Sequence, residues 1–153
     1  MKRKLLRAIL VLAAASLAVS SQASPKQADW NDDAIDWKSY EEGMILVQGL
    51  SKPGILVFYT TWCPHCKRYS RVFHDPEVVE LAKRFVMIRV DRDEHEALNE
   101  RYAKHGTYVP RTLFLDADGE VDWGVRGARP DYPHFIDAHR PDELVGLMRQ
   151  QAR

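Results

Sequence analysis

Continuous apolar runs along the chain predict its strands. Residues 55–60 combine aliphatic, β-branched and aromatic side chains without a polar break, which is typical of a strand buried on both faces. Residues 85–90 and 112–115 show a similar pattern. An Asp-Ala-Asp-Gly stretch at residues 116–119 then predicts a hairpin turn that leads into a fourth strand at residues 120–123.

Helical patterns fill the intervals between these runs. Ser39 and Glu42 have the spacing of a capping box and predict a helix from Ser39 to about Leu50. Asp75 followed by Pro76 predicts another helix start, with Asp as the cap and Pro in the first turn. Further helices are predicted at residues 67–73, 94–104 and 141–151. This order indicates an α/β fold, a small mixed β-sheet flanked by helices on both faces, with the hairpin as its antiparallel part.

The first 23 residues differ from the rest of the chain and predict a signal peptide. Four basic residues open the chain, an almost wholly apolar stretch follows at residues 5–19, and Ser21 and Ala23 are small residues typical of a cleavage site. An uncleaved membrane anchor is the alternative, but the apolar stretch is shorter than the roughly 20 residues of a spanning helix. The polar residues 24–35 are interpreted as a leader or linker, which leaves residues 36–153 as one domain.

The net charge of the chain bears on whether it binds nucleic acid. The chain has 22 basic and 22 acidic side chains, and cleavage after Ala23 removes four basic residues and no acidic one. The mature chain then has a net charge near −4. Proteins that bind polyanions present a basic surface to the phosphates, so we expect no nucleic acid partner.

The chain has two cysteines, and only two residues separate Cys63 from Cys66. A pair this close cannot staple a long loop, so it is better placed to make and break a bond than to hold one. It follows a predicted strand and precedes a predicted helix, and a helix N-terminus favours a thiolate. Cys63 is therefore predicted to be the partly exposed attacking thiol, and Cys66 the shielded resolving thiol.

The two intervening residues are predicted to tune the pair. His65 can carry a positive charge and donate to the Cys63 thiolate, while Pro64 fixes the local backbone. Stabilising the thiolate stabilises the reduced form, which makes the disulfide more oxidising. The alternatives are an inert packed pair and a metal site in which His65 joins the two sulfurs. A closed zinc site needs four ligands, so we predict no metal and no cofactor.

The stretch Trp-Cys-Pro-His-Cys-Lys at residues 62–67, after an apolar strand, resembles the active site of the thioredoxin superfamily. The pair Pro64 and His65 is similar to that of the periplasmic disulfide oxidases, whereas Trp62 is thioredoxin-like. Residues 108–119 resemble the thioredoxin segment that holds a cis-proline before the third strand. The chain from about residue 36 to residue 153 is similar to the small single-domain thioredoxins of the secretory pathway, the anterior-gradient-like group, and to their bacterial counterparts.

The resemblance implies a thioredoxin fold in which the Val109–Pro110 bond is cis and faces Cys63. The backbone of Val109 would then pair with a substrate strand. One departure from the family pattern is Val57, which stands where thioredoxins and the periplasmic oxidases keep a buried acid. Either water or another side chain then accepts the proton of the resolving thiol, or that step is slower; the side-chain candidates are Glu41, Glu42 and Lys67.

The function that these features indicate is thiol–disulfide exchange, forming or exchanging disulfides in exported proteins. The alternatives are a periplasmic reductase fed by a membrane electron donor and a non-enzymatic thioredoxin-fold module that binds copper or a client. The expected partners are exported proteins with thiols or disulfides, and a membrane or soluble redox partner. The last residues do not form an endoplasmic-reticulum retention signal, which favours a bacterial periplasm.

The remaining aromatic and histidine residues receive simpler interpretations. The histidines outside the Cys pair are expected at the surface; they are His74, His95, His105, His134 and His139. Trp123, Tyr132 and Phe135 are interpreted as core residues, with a substrate-facing surface as the alternative.

Overall fold

Residues 28–152 are described by a computed structural model, so the predicted signal peptide and its cleavage site lie outside the described residues. The elements are β1 (Trp37–Lys38), α1 (Tyr40–Leu50), β2 (Gly54–Tyr59), α2 (Pro64–Tyr69), a short 3₁₀ helix (Ser70–His74), α3 (Pro76–Ala82), β3 (Val86–Asp91), α4 (Glu96–Arg101), β4 (Arg111–Leu115) and α5 (Pro141–Gln151). None of the helices within this range is long and apolar enough to cross a bilayer.

The strands form one sheet in the order β1-β3-β2-β4. β3 pairs in parallel with both β1 and β2, whereas β4 runs antiparallel to β2, with Gly54 opposite Leu115 and Phe58 opposite Arg111. The predicted α/β class with a mixed sheet is confirmed. Its antiparallel part, however, comes from β2 and β4 rather than from a hairpin.

The strand predicted at residues 120–123 is wrong. The turn at residues 116–119 forms, and Gly119 adopts the positive φ of +87° that such a turn requires. Beyond it, pairing is limited to a single bridge between Leu115 and Val121. The carboxylate of Asp122 accepts a hydrogen bond from the Gly124 N–H at 2.9 Å, and this local turn leads the chain away from the sheet.

Strand β2 forms the centre of the molecule because its side chains are buried on both faces. Ile55 and Val57 point into the layer that contains α2, α3 and α5, where Phe73 packs with them. Leu56 and Phe58 point to the opposite layer and join the cluster that holds α1. These four β2 side chains have no exposed surface, as the unbroken apolar run predicted.

Helix α1 covers one face of the sheet. Its N-terminus has the predicted capping box, with the Glu42 N–H donating to the Ser39 hydroxyl and the Ser39 N–H donating to the Glu42 carboxylate. Gly43 faces β3 so closely that a Cβ there would lie 2.4 Å from Cγ1 of Ile88. The missing side chain therefore lets the helix approach the sheet.

The packed part of the chain includes residues that the sequence analysis assigned to a linker. Trp30 is only 1% exposed, and its ring contacts those of Tyr59 and Phe73. Ile35 is also buried, and the side-chain amide of Asn31 donates to the carbonyl of Phe73 at 2.8 Å. Burial of this indole anchors a stretch that is otherwise rich in exposed polar residues.

Candidate functional site

Cys63 caps the helix that follows the central strand. β2 ends at Tyr59, and Cys63 has an extended backbone, with φ −69° and ψ 117°, immediately before α2. Its sulfur accepts a hydrogen bond from the Cys66 N–H at 3.3 Å, and Pro64 occupies the first turn. The helix thus begins at the Cys pair rather than at residue 67 as predicted, and an N–H of its first turn points at the sulfur of Cys63.

Cys66 is fully buried one turn further on. Burial raises the pKa of the Cys66 thiol, and its hydrogen bond to Cys63 raises that pKa further. A backbone hydrogen bond from Thr60 and the positive charge of Arg92 oppose the rise. Cys66 therefore keeps its proton at neutral pH and donates it toward the sulfur of Cys63.

The loop before β4 lies over the sulfur of Cys63. The Val109–Pro110 bond is cis, as predicted, and the carbonyl oxygen of Val109 lies 3.8 Å from that sulfur. Cys63 is only 4% exposed, so the expectation of a partly exposed sulfur is wrong. The carbonyl of Val109 is thus one of the groups that cover this sulfur.

Hydrogen bonds link α2, which begins at the Cys pair, to β4. The hydroxyl groups of Tyr69 and Thr112 are hydrogen-bonded at 2.8 Å, and burial raises the pKa of the Tyr69 phenol, which therefore stays neutral. The Thr112 N–H donates to the carbonyl of His134 at 2.8 Å. This chain of bonds fixes the Cys pair relative to the strand that follows Pro110.

His65 has a different partner from the predicted one. Its ring packs edge-on against Phe135, with centroids 5.9 Å apart, and its Nδ1 lies 2.9 Å from Nη2 of Arg68. A guanidinium has no acceptor, so Nδ1 must accept this hydrogen bond, which requires an unprotonated Nδ1. His65 is thus a hydrogen-bond acceptor for Arg68 on α2, and the sequence did not single out Arg68.

Known proteins match this chain in sequence and in fold. The family described as thioredoxin-like matches residues 36–117, which is more than half of the chain. The chain belongs to the thioredoxin-like family. It is 26% identical over 143 residues to anterior gradient protein 3 of Homo sapiens, which covers 90% of this chain and 82% of that protein.

Solved structures of the thioredoxin fold superpose on this chain. A thioredoxin from Thermus thermophilus has a TM-score of 0.60 at 26% identity, covering 76% of this chain and 86% of that chain. A disulphide isomerase from Xylella fastidiosa Temecula1 has a TM-score of 0.56 at 17% identity, covering 89% and 100% respectively. At this lower identity the likeness shows the fold alone.

The buried acid expected in a thioredoxin-like protein is replaced by a fully apolar environment. Val57 is completely buried in β2. Of the candidate proton acceptors, Glu42 is engaged in the capping box of α1 and Lys67 is exposed on α2. Within residues 28–152 the charges that act on the Cys66 thiol are that of Cys63, which raises its pKa, and that of Arg92, which lowers it, and neither is a carboxylate.

Trp62 is 62% exposed beside the Cys pair. Its indole N–H donates to Oδ2 of Asp93 at 2.7 Å, and this bond is the main reason that the pKa of the Asp93 carboxyl is lowered. The guanidinium of Arg92 lies 5.8 Å from the centre of the indole and also bonds Asp93. The ring is therefore held in place while its surface stays open.

Arg111 is a fully buried cation directly after the cis bond. Its guanidinium donates to the side-chain oxygen of Asn99 at 2.8 Å and to the carbonyl of Gly106, and it lies 4.6 Å from the ring centre of Phe58. Burial lowers the pKa of Arg111 to about 10, so it remains charged at neutral pH. Arg111 thus ties α4 and the loop that leads to Val109 onto the sheet.

One histidine expected at the surface is buried. His134 is 2% exposed, and its Nε2 lies 2.9 Å from Nδ1 of His105. Burial, followed by the charges of nearby cations and His105, lowers the pKa of His134 to about 4, so the ring is neutral at physiological pH. In the described range 28–152, no group of three or more His, Cys, Asp or Glu side chains is close enough to hold a metal ion.

Of the three aromatic residues interpreted as core, Trp123 packs against the cluster that holds α1. Tyr132 is 49% exposed, so its assignment to the core is wrong. Phe135 is half-buried and contacts His65 beside the Cys pair.

Proposed function

We propose that this protein is a thiol–disulfide oxidoreductase in which Cys63 exchanges bonds with clients and Cys66 resolves the mixed disulfide. The observation that supports this most directly is the environment of the Cys63 sulfur. It accepts the Cys66 N–H at 3.3 Å, and it is paired with a buried thiol whose pKa is raised. A sulfur with donors aimed at it is the one that forms and leaves as a thiolate.

In the oxidising direction a client thiolate attacks the Cys63 sulfur of the Cys63–Cys66 disulfide. That bond breaks, a client–Cys63 disulfide forms, and Cys66 leaves as a thiolate and takes up a proton. A second client thiolate then attacks the client sulfur and releases Cys63 as a thiolate. Two electrons have moved from the client to the protein, and a disulfide-bearing partner must accept them to complete the cycle.

In the reducing direction the same steps run backwards. The Cys63 thiolate attacks a client disulfide, and Cys66 must then lose its proton to attack Cys63. That second step is hindered here, because the pKa of Cys66 is raised and Val57 replaces the buried acid. The raised pKa equally hinders the departure of Cys66 as a thiolate in the oxidising direction, so it does not select a direction. We propose that disulfide formation and exchange, rather than reduction fed by a membrane donor, is the main activity, because the Pro64 and His65 pair is similar to that of the periplasmic disulfide oxidases.

The clients in this proposal are exported proteins, and the compartment is a bacterial periplasm. The support is the basic and apolar pattern of residues 1–23, which is typical of a signal peptide. The mass of the protein recovered from a periplasmic extract tests this, since cleavage after Ala23 removes 23 residues. Recovery at full length from the cytoplasm would refute export.

Trapping of mixed disulfides tests the activity and the roles of the two thiols. Cys66→Ser removes the resolving thiol, so disulfides between Cys63 and a client should accumulate on non-reducing gels. Cys63→Ser is the matched control, because it keeps one thiol but buries it, and it should trap little. The reverse pattern would exchange the two roles, and no trapping by either variant would refute thiol–disulfide exchange.

A further inference from the structure

A small cleft opens directly beside the Cys pair on the side of α2. Its volume is about 190 Å³, and its lining includes His65, Arg68, Arg129 and Phe135. The cleft is linked to the Cys pair through His65, which lines it and stands between the two cysteines in sequence, although neither cysteine is part of the lining. Small-molecule sites usually have volumes of about 300–1,000 Å³, so this cleft has room for one side chain rather than a cofactor.

The lining of the cleft combines the aromatic ring of Phe135, the cations Arg68 and Arg129, and one carboxylate, that of Asp137. The ring of Phe135 lies between His65, at 5.9 Å, and the guanidinium of Arg129, at 4.7 Å. Arg129 is also paired with Asp137 at 3.1 Å. A backbone hydrogen bond from His139 lowers the pKa of the Asp137 carboxyl, so Asp137 stays ionised and compensates the charge of Arg129.

Arg68 is not compensated in this way. One of its N–H groups donates to Nδ1 of His65 at 2.9 Å, and within residues 28–152 no carboxylate lies within 4 Å of its guanidinium. An arginine has five N–H donors in a planar fork that fits the two oxygens of a carboxylate. Most donors of Arg68 are therefore available to a ligand of that shape.

The charge around the cleft differs from the charge of the whole protein. The mature chain is acidic, yet residues 64–74 contain no acidic residue. They contain the basic residues Lys67, Arg68 and Arg71, together with His65 and His74. A local cationic surface beside the reacting sulfur on an acidic protein attracts ligands of negative charge.

We propose that this cleft binds an acidic side chain of the client, with Arg68 as the residue that pairs with the carboxylate. The protein then prefers client cysteines that have Asp or Glu within a few residues. This inference rests on the proposed function, because the client must first react at Cys63. It adds a substrate class to that function: cysteines in acidic sequence contexts.

The experiment uses short peptides that carry a single cysteine blocked as a neutral S-methyl disulfide. Glu, Gln or Lys is placed at each of the three positions on either side of the cysteine. The Cys66→Ser variant of the mature chain reacts through Cys63, whose thiolate attacks the peptide sulfur and expels methanethiolate. The rate at which the peptide–Cys63 disulfide forms is followed by mass spectrometry. The readout is the ratio of the rate with the Glu peptide to the rate with the Gln peptide.

We expect the Glu peptide to react about fivefold faster than the Gln peptide at the best position, the gain of a well-oriented but solvent-accessible ion pair. The ratio should fall toward one with Arg68→Gln and in about 1 M salt, where screening is strong. Arg68→Glu should reverse the preference in favour of the Lys peptide. Because His65 loses a partner in these variants, a change in general reactivity affects both peptides and cancels in the ratio.

Arg71→Gln is the matched control, since it removes the same charge from the same segment outside the cleft. It should keep the Glu preference. A loss as large as that of Arg68→Gln would show a diffuse field rather than a bound carboxylate and would overturn the inference. Equal rates for the Glu, Gln and Lys peptides would overturn the inference but leave the proposed function intact, whereas no reaction with any peptide would refute both.

Discussion

The two sides of the Cys pair use charged residues in opposite ways. On the α4 side, Arg92 bonds both Asp93 and the carbonyl of Thr107, and Arg111 is buried against Asn99. On the α2 side, Arg68 uses one N–H on His65 and faces an open cleft. On the first side Arg92 and Arg111 make most of their hydrogen bonds within the fold, although Nε of Arg111 has no partner, whereas on the second side most donors of Arg68 remain available to a partner.

This difference separates residues that hold the site from residues that meet the client. A buried cation must have its hydrogen bonds satisfied, or its desolvation costs more than the fold can tolerate. An exposed cation without a partner contributes little to stability, and its charge is free to act on a ligand. Substitutions on the α4 side should therefore change stability, and substitutions on the α2 side should change reactivity.

The largest effect that we expect is from Arg111→Met. This change leaves the side-chain oxygen of Asn99 and the carbonyl of Gly106 without a donor in the interior, and the free energy of unfolding should fall by about 3 kcal/mol. Arg111→Lys keeps the positive charge but lacks the planar set of N–H donors of a guanidinium. It should therefore lower the free energy of unfolding by less than Arg111→Met does. Urea denaturation of the three proteins measures these values.

Arg68→Gln is the matched change on the α2 side. An exposed substitution away from buried contacts should change the free energy of unfolding by no more than about 0.5 kcal/mol. If Arg68→Gln destabilised the protein as much as Arg111→Met, the division into a holding side and a client-facing side would be wrong.

The main strands, most helices and the position of the Cys pair between a strand and a helix were predictable from the sequence. Each of these features is set by residues that are close to one another along the chain. Ser39 and Glu42, or Asp75 and Pro76, form their caps within four residues of chain, and the structure confirms both caps. β1 was missed because two residues are too few to show a strand pattern.

Several partners that define the α4 side are distant in sequence. Trp62 bonds Asp93, 31 residues away, and Arg111 bonds Asn99 across α4 and a loop. A sequence pattern shows which residues are charged but not which charges meet in the fold. For the same reason His134 looked like a surface residue, although its burial is set by the packing of a long irregular segment.

The next largest effect is a change in the free energy of unfolding with pH, and it again concerns a buried residue rather than the open α2 side. Burial lowers the pKa of His134 to about 4 in the folded protein, whereas an unfolded histidine titrates near ~6.5. Between these two pH values the unfolded chain binds more protons than the folded protein does. The contribution of His134 to the free energy of unfolding is therefore fully present above about pH 6.5 and is lost as the pH decreases toward 4. From pH 7 to 4.5 the loss due to His134 should be about 2 kcal/mol.

His134→Gln should remove this part of the pH dependence, even if the variant is less stable at pH 7, because the glutamine does not titrate. The readout is the difference between the unfolding free energies at the two pH values. His139→Gln, on the exposed α2 side, is the control and should keep the difference of the wild type. An unchanged pH dependence in His134→Gln would mean that His134 is protonated in the folded state.

The smallest effect is expected for His65→Ala, which tests whether the α2 side tunes the Cys pair. His65 holds the guanidinium of Arg68 next to the pair, and a nearby positive charge stabilises the thiolate of the reduced form. Losing it should lower the reduction potential by about 10–30 mV, a modest shift because the charge is exposed to solvent. Glutathione equilibrium measurements on wild type, His65→Ala, Arg68→Gln and the double variant give the potentials. If His65 acts through Arg68, the double variant should match Arg68→Gln alone. Equal potentials in all four proteins, near the value of about −270 mV for thioredoxin, would show that this side does not tune the pair and would favour the reducing direction.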